Sequence, residues 1–169
     1  MPSSYPHNLP RLINVLMQRK PESILDVGPG YGKFGFLARE YLDDFERRVR
    51  VDAVEVFPDY LERVGWSPYD EVIWGNFLEV PLERRYDLVL MIDVLEHFTK
   101  ADGYRALYRA LSVGKEVLIS TPIGYEQGEC HGNVHEAHLS EWTVEDFTSH
   151  GMTWRDAGTD QLSVIGVAG

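Results

Sequence analysis

Cysteine is nearly absent from this sequence. Of 169 residues only Cys130 carries a thiol, which excludes an intramolecular disulfide and suits a reducing compartment, so the cytoplasm is the expected location. No Lys/Arg run occurs, and 16 basic against 27 acidic residues leave a formal net charge of −11. Phosphate backbones and anionic lipid both need a basic face to displace counterions, so neither a nucleic acid nor a membrane is an expected partner. Long apolar runs are missing as well. Stretches such as Leu88 to Ile92 fall far short of the roughly 20 residues that span a bilayer, and Met1 to His7 holds no apolar signal core. There are no repeats or low-complexity tracts. What remains, 44% hydrophobic and 12% aromatic, suffices for one compact domain over residues 1–169 and makes a second unexpected.

Along the chain the apolar period switches repeatedly between helical and extended. Leu9, Leu12, Ile13, Leu16 and Met17 recur at helical spacing behind Asn8, which reads as a cap, and Pro21 ends that helix. Ser23 to Val27 is a short apolar strand that breaks into glycines, followed by a helical pattern through Phe36, Leu37, Tyr41, Leu42 and Phe45. The unit repeats, with Val51 to Val56 as strand, Pro58 to Val64 as a short helix and Glu71 to Trp74 as strand. Tyr86 to Ile92 is apolar on both faces, as a central parallel strand should be; Tyr104, Leu107, Tyr108 and Leu111 mark the next helix, and Glu116 to Ser120 a fifth strand. Thr143 and Asp146 have capping-box-like spacing and open a helix to His150, after which Met152 to Arg155 and Leu162 to Val167 read as closing strands. Such alternation predicts an α/β protein whose parallel sheet is covered on both faces, with its ligand crevice at the carboxyl ends of the strands.

Functional residues should therefore follow strands. The turn after the first strand contains two overlapping glycine patterns. Gly30-Tyr31-Gly32-Lys33-Phe34-Gly35 has dinucleotide-fingerprint spacing, but there the first glycine should closely follow the strand, and Gly30 lies beyond Gly28 and Pro29. The better register begins at Asp26 and Gly28, where glycines let backbone approach a ligand at a helix N-terminus. Glu55, ending the second strand with Val56 beside it, could accept hydrogen bonds from both hydroxyls of a ribose. Gly75-Asn76-Phe77 offers an amide for an adenine edge and a ring to contact it; the plain alternative is a turn residue and a core anchor. After the fourth strand, Ile92-Asp93-Val94-Leu95-Glu96-His97 crowds two carboxylates and a histidine. His97 could act as a general base or merely bond a carbonyl, while Glu96 reads as structural or solvent-facing.

The string Ile24-Leu25-Asp26-Val27-Gly28-Pro29-Gly30-Tyr31-Gly32 resembles the first motif of S-adenosylmethionine-dependent methyltransferases, and Asp93-Val94-Leu95-Glu96-His97 is similar to the ubiquinone- and menaquinone-biosynthesis group among them. The resemblance covers roughly residues 24–167. It implies a three-layer Rossmann-like sandwich with a mostly parallel seven-stranded sheet and an antiparallel last strand. It implies S-adenosylmethionine as cofactor and S-adenosylhomocysteine as product, with Asp26, Gly28, Gly30 and Glu55 facing the cofactor and Ile92 and Asp93 lining its methionine side. Pro29, Tyr31 and Gly32 complete the turn. Lys33 departs from the small or acidic residue often found there. The N-terminal helical segment, residues 1–20, could then cover the cofactor as a lid.

Residues 122–139 lack periodicity, and irregular chain of that length in a compact domain is usually functional. Cys130, His131, His135 and His138 invite a metal reading, yet His135-Glu136-Ala137-His138 lacks one residue of the helical metalloprotease pattern, and Gly132 and Asn133 disfavour the helix that would put His131 and His135 on one face. No metal is expected there. His135 and His138 are instead candidates, with His97, to bind substrate or relay a proton, and His138 to Thr143 resembles a methyltransferase segment that folds back towards the active site. No Asn-Pro-Pro-aromatic or Asp-Pro-Pro-aromatic string follows the fourth strand, so a small-molecule acceptor is expected, recognised by the loop, the N-terminal segment or a second subunit in a homodimer or partner complex. The rivals are a nicotinamide-dependent oxidoreductase and a cofactor-binding accessory protein without transferase activity.

Overall fold

A computed structural model describes residues 4–169; of the expected N-terminal segment, Met1 to Ser3 lie outside the described residues. Seven strands form one sheet in the order β3-β2-β1-β4-β5-β7-β6. They are β1 (Ser23–Val27), β2 (Arg50–Glu55), β3 (Glu71–Trp74), β4 (Tyr86–Ile92), β5 (Gly114–Pro122), β6 (Trp154–Asp156) and β7 (Ser163–Ala168). The first five pair in parallel; β7 runs antiparallel to both β5 and β6. This is the expected Rossmann-like sheet with its antiparallel last strand.

The period of two along each strand explains the three layers. Leu25, Val89, Met91, Val117 and Ile119 point to one face, where they meet Ala106, Leu107 and Ala110 of α4 (Lys100–Val113) and Phe147 of α5 (Val144–Thr148). Ile24, Leu88, Leu90 and Leu118 point to the other, against Leu12 and Leu16 of α1 (Leu9–Arg19) and Phe34 and Ala38 of α2 (Lys33–Leu42). The remaining helix, α3 (Asp59–Glu62), is a single turn after β2. Thr143 N–H donates to Asp146 Oδ2 at 2.7 Å, closing the expected capping box on α5.

Several local expectations change. Asn8 makes no side-chain cap; it is fully buried and its Nδ2 donates to Ser163 Oγ at 2.9 Å, because tertiary burial competes successfully for the amide. Leu12 and Leu16 are core residues, so α1 is packed onto the sheet, and among the described residues of the N-terminal segment those that reach the crevice are Ser4 to Pro6. Helix α2 stops at Leu42 rather than running to Phe45, since Asp44 and Phe45 take positive φ. The closing strands are shifted, to 154–156 and 163–168.

Candidate functional site

Strand order places β1 and β4 side by side at the centre of the sheet, with chain leaving in opposite directions on either side. The crevice opens at this switch point, beyond the carboxyl ends of β1, β2 and β4. It is a cavity of about 380 Å³. Gly28 and Gly30 have φ of 65° and 56°, the left-handed region that a side chain would strain, and a Cβ on Gly28 would come within 3.1 Å of Val94 Cγ2. Backbone therefore forms this wall. Gly32, at φ 84°, occupies the N-cap of α2, so amides of the first turn are left without intrahelical partners near the cavity.

Asp26 and Glu55 stand on either side of that turn. Asp26 is 2% exposed and accepts from Tyr69 Oη at 2.6 Å; burial pushes its carboxyl up to about 7, the Tyr69 bond pulls the other way, and the charge of Glu55 adds to the rise. Glu55, 4% exposed, accepts from Gly30 N–H at 3.2 Å and Phe57 N–H at 2.8 Å. Burial raises its pKa and those backbone bonds hold it back. Its oxygens keep lone pairs for further donors, as a diol-binding carboxylate requires. Asn76 Oδ1 accepts from Leu78 N–H at 2.9 Å, which leaves its NH₂ group as the donor for a ligand. Phe77 is both core residue and cavity wall.

At the end of β4, Asp93 adopts φ 52°, strained for a non-glycine residue, and its Oδ1 accepts a short bond from Ser120 Oγ. Its pKa is raised by burial and lowered by Ser120. The single helical turn Leu95–His97 follows. Glu96 is not solvent-facing: it is 1% exposed, and neither carboxylate oxygen has a hydrogen-bond partner. Burial holds its pKa well above the carboxylate range, the Asp93 charge adds to this, and the nearby Thr121 hydroxyl offsets only part. Burial lowers the pKa of His97, whose Nδ1 lies 3.3 Å from Ala137 O.

The long loop closes the crevice from above. Leu139 and Ser140 N–H groups both donate to Glu96 O, at 2.7 and 3.2 Å, and Trp142 packs into the gap left by Gly103 on α4. This is how the loop folds back to the site. The same closure fixes Tyr125: its main-chain oxygen accepts from His138 Nδ1 at 2.6 Å, and its ring meets Tyr5 edge-on at 6.0 Å.

Of the residues expected at the cofactor, Asp26, Gly28, Pro29, Gly30, Glu55, Val56, Asn76, Phe77, Ile92 and Asp93 line the cavity. Tyr31 and Gly32 do not; Tyr31 turns outward, 38% exposed, against the ring of Tyr60. His97, His135 and His138 all line it, while Cys130 and His131 sit outside, at a two-residue turn bridging Cys130 and Asn133. Tyr60 is a wall residue that the sequence did not single out; Tyr125 and Glu136 lie in the expected substrate-side loop and Tyr5 in the expected N-terminal cover, though the sequence marks none of these individually as wall. For Tyr60 the signal is its place just after the second strand.

No protein-family model matches the chain, and no curated protein matches it in sequence. Its fold is that of class I methyltransferases of known structure. An O-methyltransferase candidate from Nostoc punctiforme PCC 73102 superposes with a TM-score of 0.68 at 20% identity, over 95% of this chain and 55% of that one. The methyltransferase domain of bacterial CtHen1 gives 0.67 at 19%, over 95% and 96%. Magnesium protoporphyrin IX methyltransferase of Synechocystis PCC 6803, with bound S-adenosylhomocysteine, gives 0.64 at 13%, over 96% and 81%. This chain thus spans about half the length of the first of these proteins and nearly all of the second.

Proposed function

We propose that the protein transfers the methyl group of S-adenosylmethionine to a small-molecule acceptor, releasing S-adenosylhomocysteine. The observation that carries this reading is the crevice at the β1–β4 switch point, where a left-handed glycine turn lies between two buried carboxylates, Asp26 and Glu55. Glu55 would take the ribose hydroxyls, Asp26 the cationic amino end of the methionine portion, Asn76 and Phe77 the adenine, and Ile92 and Asp93 the methionine flank. Methyl transfer from a sulfonium is an in-line displacement, so alignment and exclusion of water are the main requirements. The 122–139 loop and the segment Ser4 to Pro6 supply the cover and face the acceptor.

A lowered His97 pKa keeps its imidazole neutral near pH 7, suited to removing an acceptor proton. The net charge of −11 supports an acceptor other than nucleic acid. Among the described residues no helix is long and apolar enough to cross a membrane. With Cys130 a free thiol, we place the protein in the cytoplasm.

Calorimetry tests the reading: S-adenosylhomocysteine should bind with a Kd on the order of micromolar, and Glu55→Ala should weaken it at least about tenfold by loss of two hydrogen bonds. Binding of NAD with neither S-adenosyl compound would overturn it in favour of an oxidoreductase.

A further inference from the structure

Glu96 is the least satisfied group in the described residues. It is a carboxyl group enclosed within the protein and set in the crevice wall, with neither oxygen in a well-formed hydrogen bond and only the Thr121 hydroxyl and its own backbone nearby. Buried without a cation, such a group keeps its proton; a cation or metal ion beside it is what lets it ionise. Among the described residues it forms no ion pair with Lys or Arg. Two imidazoles do accompany it: one ligand atom each from Glu96, His97 and His138 lie within 4.8 Å of one another.

The histidines are held in a suitable state. His97 Nδ1 lies 3.3 Å from Ala137 O and His138 Nδ1 lies 2.6 Å from Tyr125 O. A carbonyl only accepts, so each Nδ1 carries the proton and each Nε2 keeps its lone pair. Main-chain carbonyls that fix the tautomer in this way are the usual outer shell of metal-bound histidine. His138 is brought here from far downstream by the bonds from Leu139 and Ser140 to Glu96 O, so two distant segments are tied together at this point.

We propose that Glu96, His97 and His138 form a binding site for one divalent transition-metal cation, with the positions towards the crevice open. Two imidazole nitrogens and one carboxylate oxygen suit Zn²⁺, Co²⁺, Fe²⁺ or Mn²⁺ better than Ca²⁺ or Mg²⁺, which prefer all-oxygen shells. Ligand atoms about 2.1 Å from a tetrahedral ion stand about 3.4 Å apart, so the group must contract from at most 4.8 Å on binding. Side-chain rotation of His138, carried on the loop, provides that movement. This set differs from the loop group of Cys130, His131, His135 and His138, of which the first two lie outside the cavity.

The consequence for chemistry rests on the methyltransferase reading; the binding does not. With its Nε2 on the cation, His97 would serve as ligand in place of base: the cation would take an acceptor hydroxyl as its open-position ligand and acidify it, and the proton would pass to solvent. The oxygen would then form a bond to the methyl carbon as the carbon–sulfur bond of the sulfonium breaks, the electron pair returning to sulfur in S-adenosylhomocysteine. The acceptor class this favours is an oxygen nucleophile.

The test is titration of chelator-treated, full-length protein with CoCl₂ alone, followed by visible absorption and calorimetry, then by competition with ZnCl₂. One Co²⁺ per chain is expected, with d–d bands of a low-coordinate N/O site. Glu96→Gln and His138→Ala should each weaken binding at least tenfold, with folding checked by circular dichroism. Cys130→Ala and His131→Ala should leave it unchanged. No stoichiometric Co²⁺ binding, or binding retained in both Glu96→Gln and His138→Ala, overturns the proposal. S-adenosylhomocysteine titrated into the same samples separates the two readings: cofactor bound without metal sinks the metal site alone, and metal bound without cofactor supports the site while sinking the methyltransferase reading.

Discussion

Asp26→Asn should make the protein more stable and a poorer binder of its cofactor. The Asp26 carboxyl is buried and pushed up to about 7, chiefly by desolvation. An unfolded Asp titrates near about 3.9. With the folded pKa above the unfolded one, the folded state holds the proton more tightly. Stability is unaffected by ionisation below about pH 4, falls as pH rises through the window between about 4 and 7, and stays reduced above it. About three pKa units at roughly 1.36 kcal/mol each set an upper limit of about 4 kcal/mol on that loss. Asn cannot ionise, yet its Oδ1 can still accept from Tyr69 Oη, which donates to Asp26 at 2.6 Å. At about pH 8 the variant should therefore gain roughly 1–4 kcal/mol, a rise in Tm of about 2–16 °C, and lose the downward slope of Tm with pH.

The same carboxylate is assigned to the cofactor's cationic amino end, so wild-type affinity for S-adenosylhomocysteine should rise as pH increases through about 7 and then level off. The Asp26→Asn substitution would remove both that slope and at least about tenfold in affinity. Scanning calorimetry and isothermal titration across that pH range measure both effects. Parallel Tm–pH curves for the two proteins, or a variant less stable at about pH 8, would refute the electrostatic argument.

Three further substitutions probe the frame around the site. Arg39 is fully enclosed and donates to Pro68 O at 2.8 Å and to Asp43 and Asp70 at 3.1 and 2.8 Å. Arg39→Leu strands the buried Asp43 and should cost about 3–5 kcal/mol in urea unfolding, part of it recovered by adding Asp43→Asn. Gly103→Ala would drive a Cβ into Trp142 Cζ2, at a cost of about 1–3 kcal/mol, and should speed proteolysis within residues 122–139 because Trp142 anchors that loop. Gly28→Ala, strained at φ 65° and crowding Val94, should weaken S-adenosylhomocysteine binding more than it lowers Tm, since the turn forms a wall of the crevice proposed to hold the cofactor.

Much of the fold is legible because apolar periodicity is a local property. Ile24 and Leu25 point to opposite layers for the same reason that Leu88 and Val89 do, and the switch to helical spacing after each strand marks the crossover. The glycine turn and Glu55 are legible too, since in a parallel α/β sheet ligand groups follow strands. Element ends are less so. Asp44 and Phe45 look helical in pattern, yet both take positive φ, beside Asp43, whose carboxylate is bound by Arg39 and Val49 N–H. Asn8 has the chemistry of a cap, but Ser163, 155 residues away, takes its amide.

The histidines show the boundary most clearly. The count of the loop histidines is visible in sequence, and Gly132 and Asn133 argue against a helix that would pair His131 with His135. Spacing along the chain says nothing about Glu96 meeting His138, because that encounter depends on the loop being drawn back by the Glu96 carbonyl and by Trp142 against Gly103. Short-range pattern determined the layers and a parallel sheet with its crevice at the strand ends, while the seven-stranded order with an antiparallel last strand came from the resemblance to methyltransferases. Tertiary structure decided which acid is buried without a partner and which two imidazoles face it, since burial and proximity between distant segments exist only once the chain has packed.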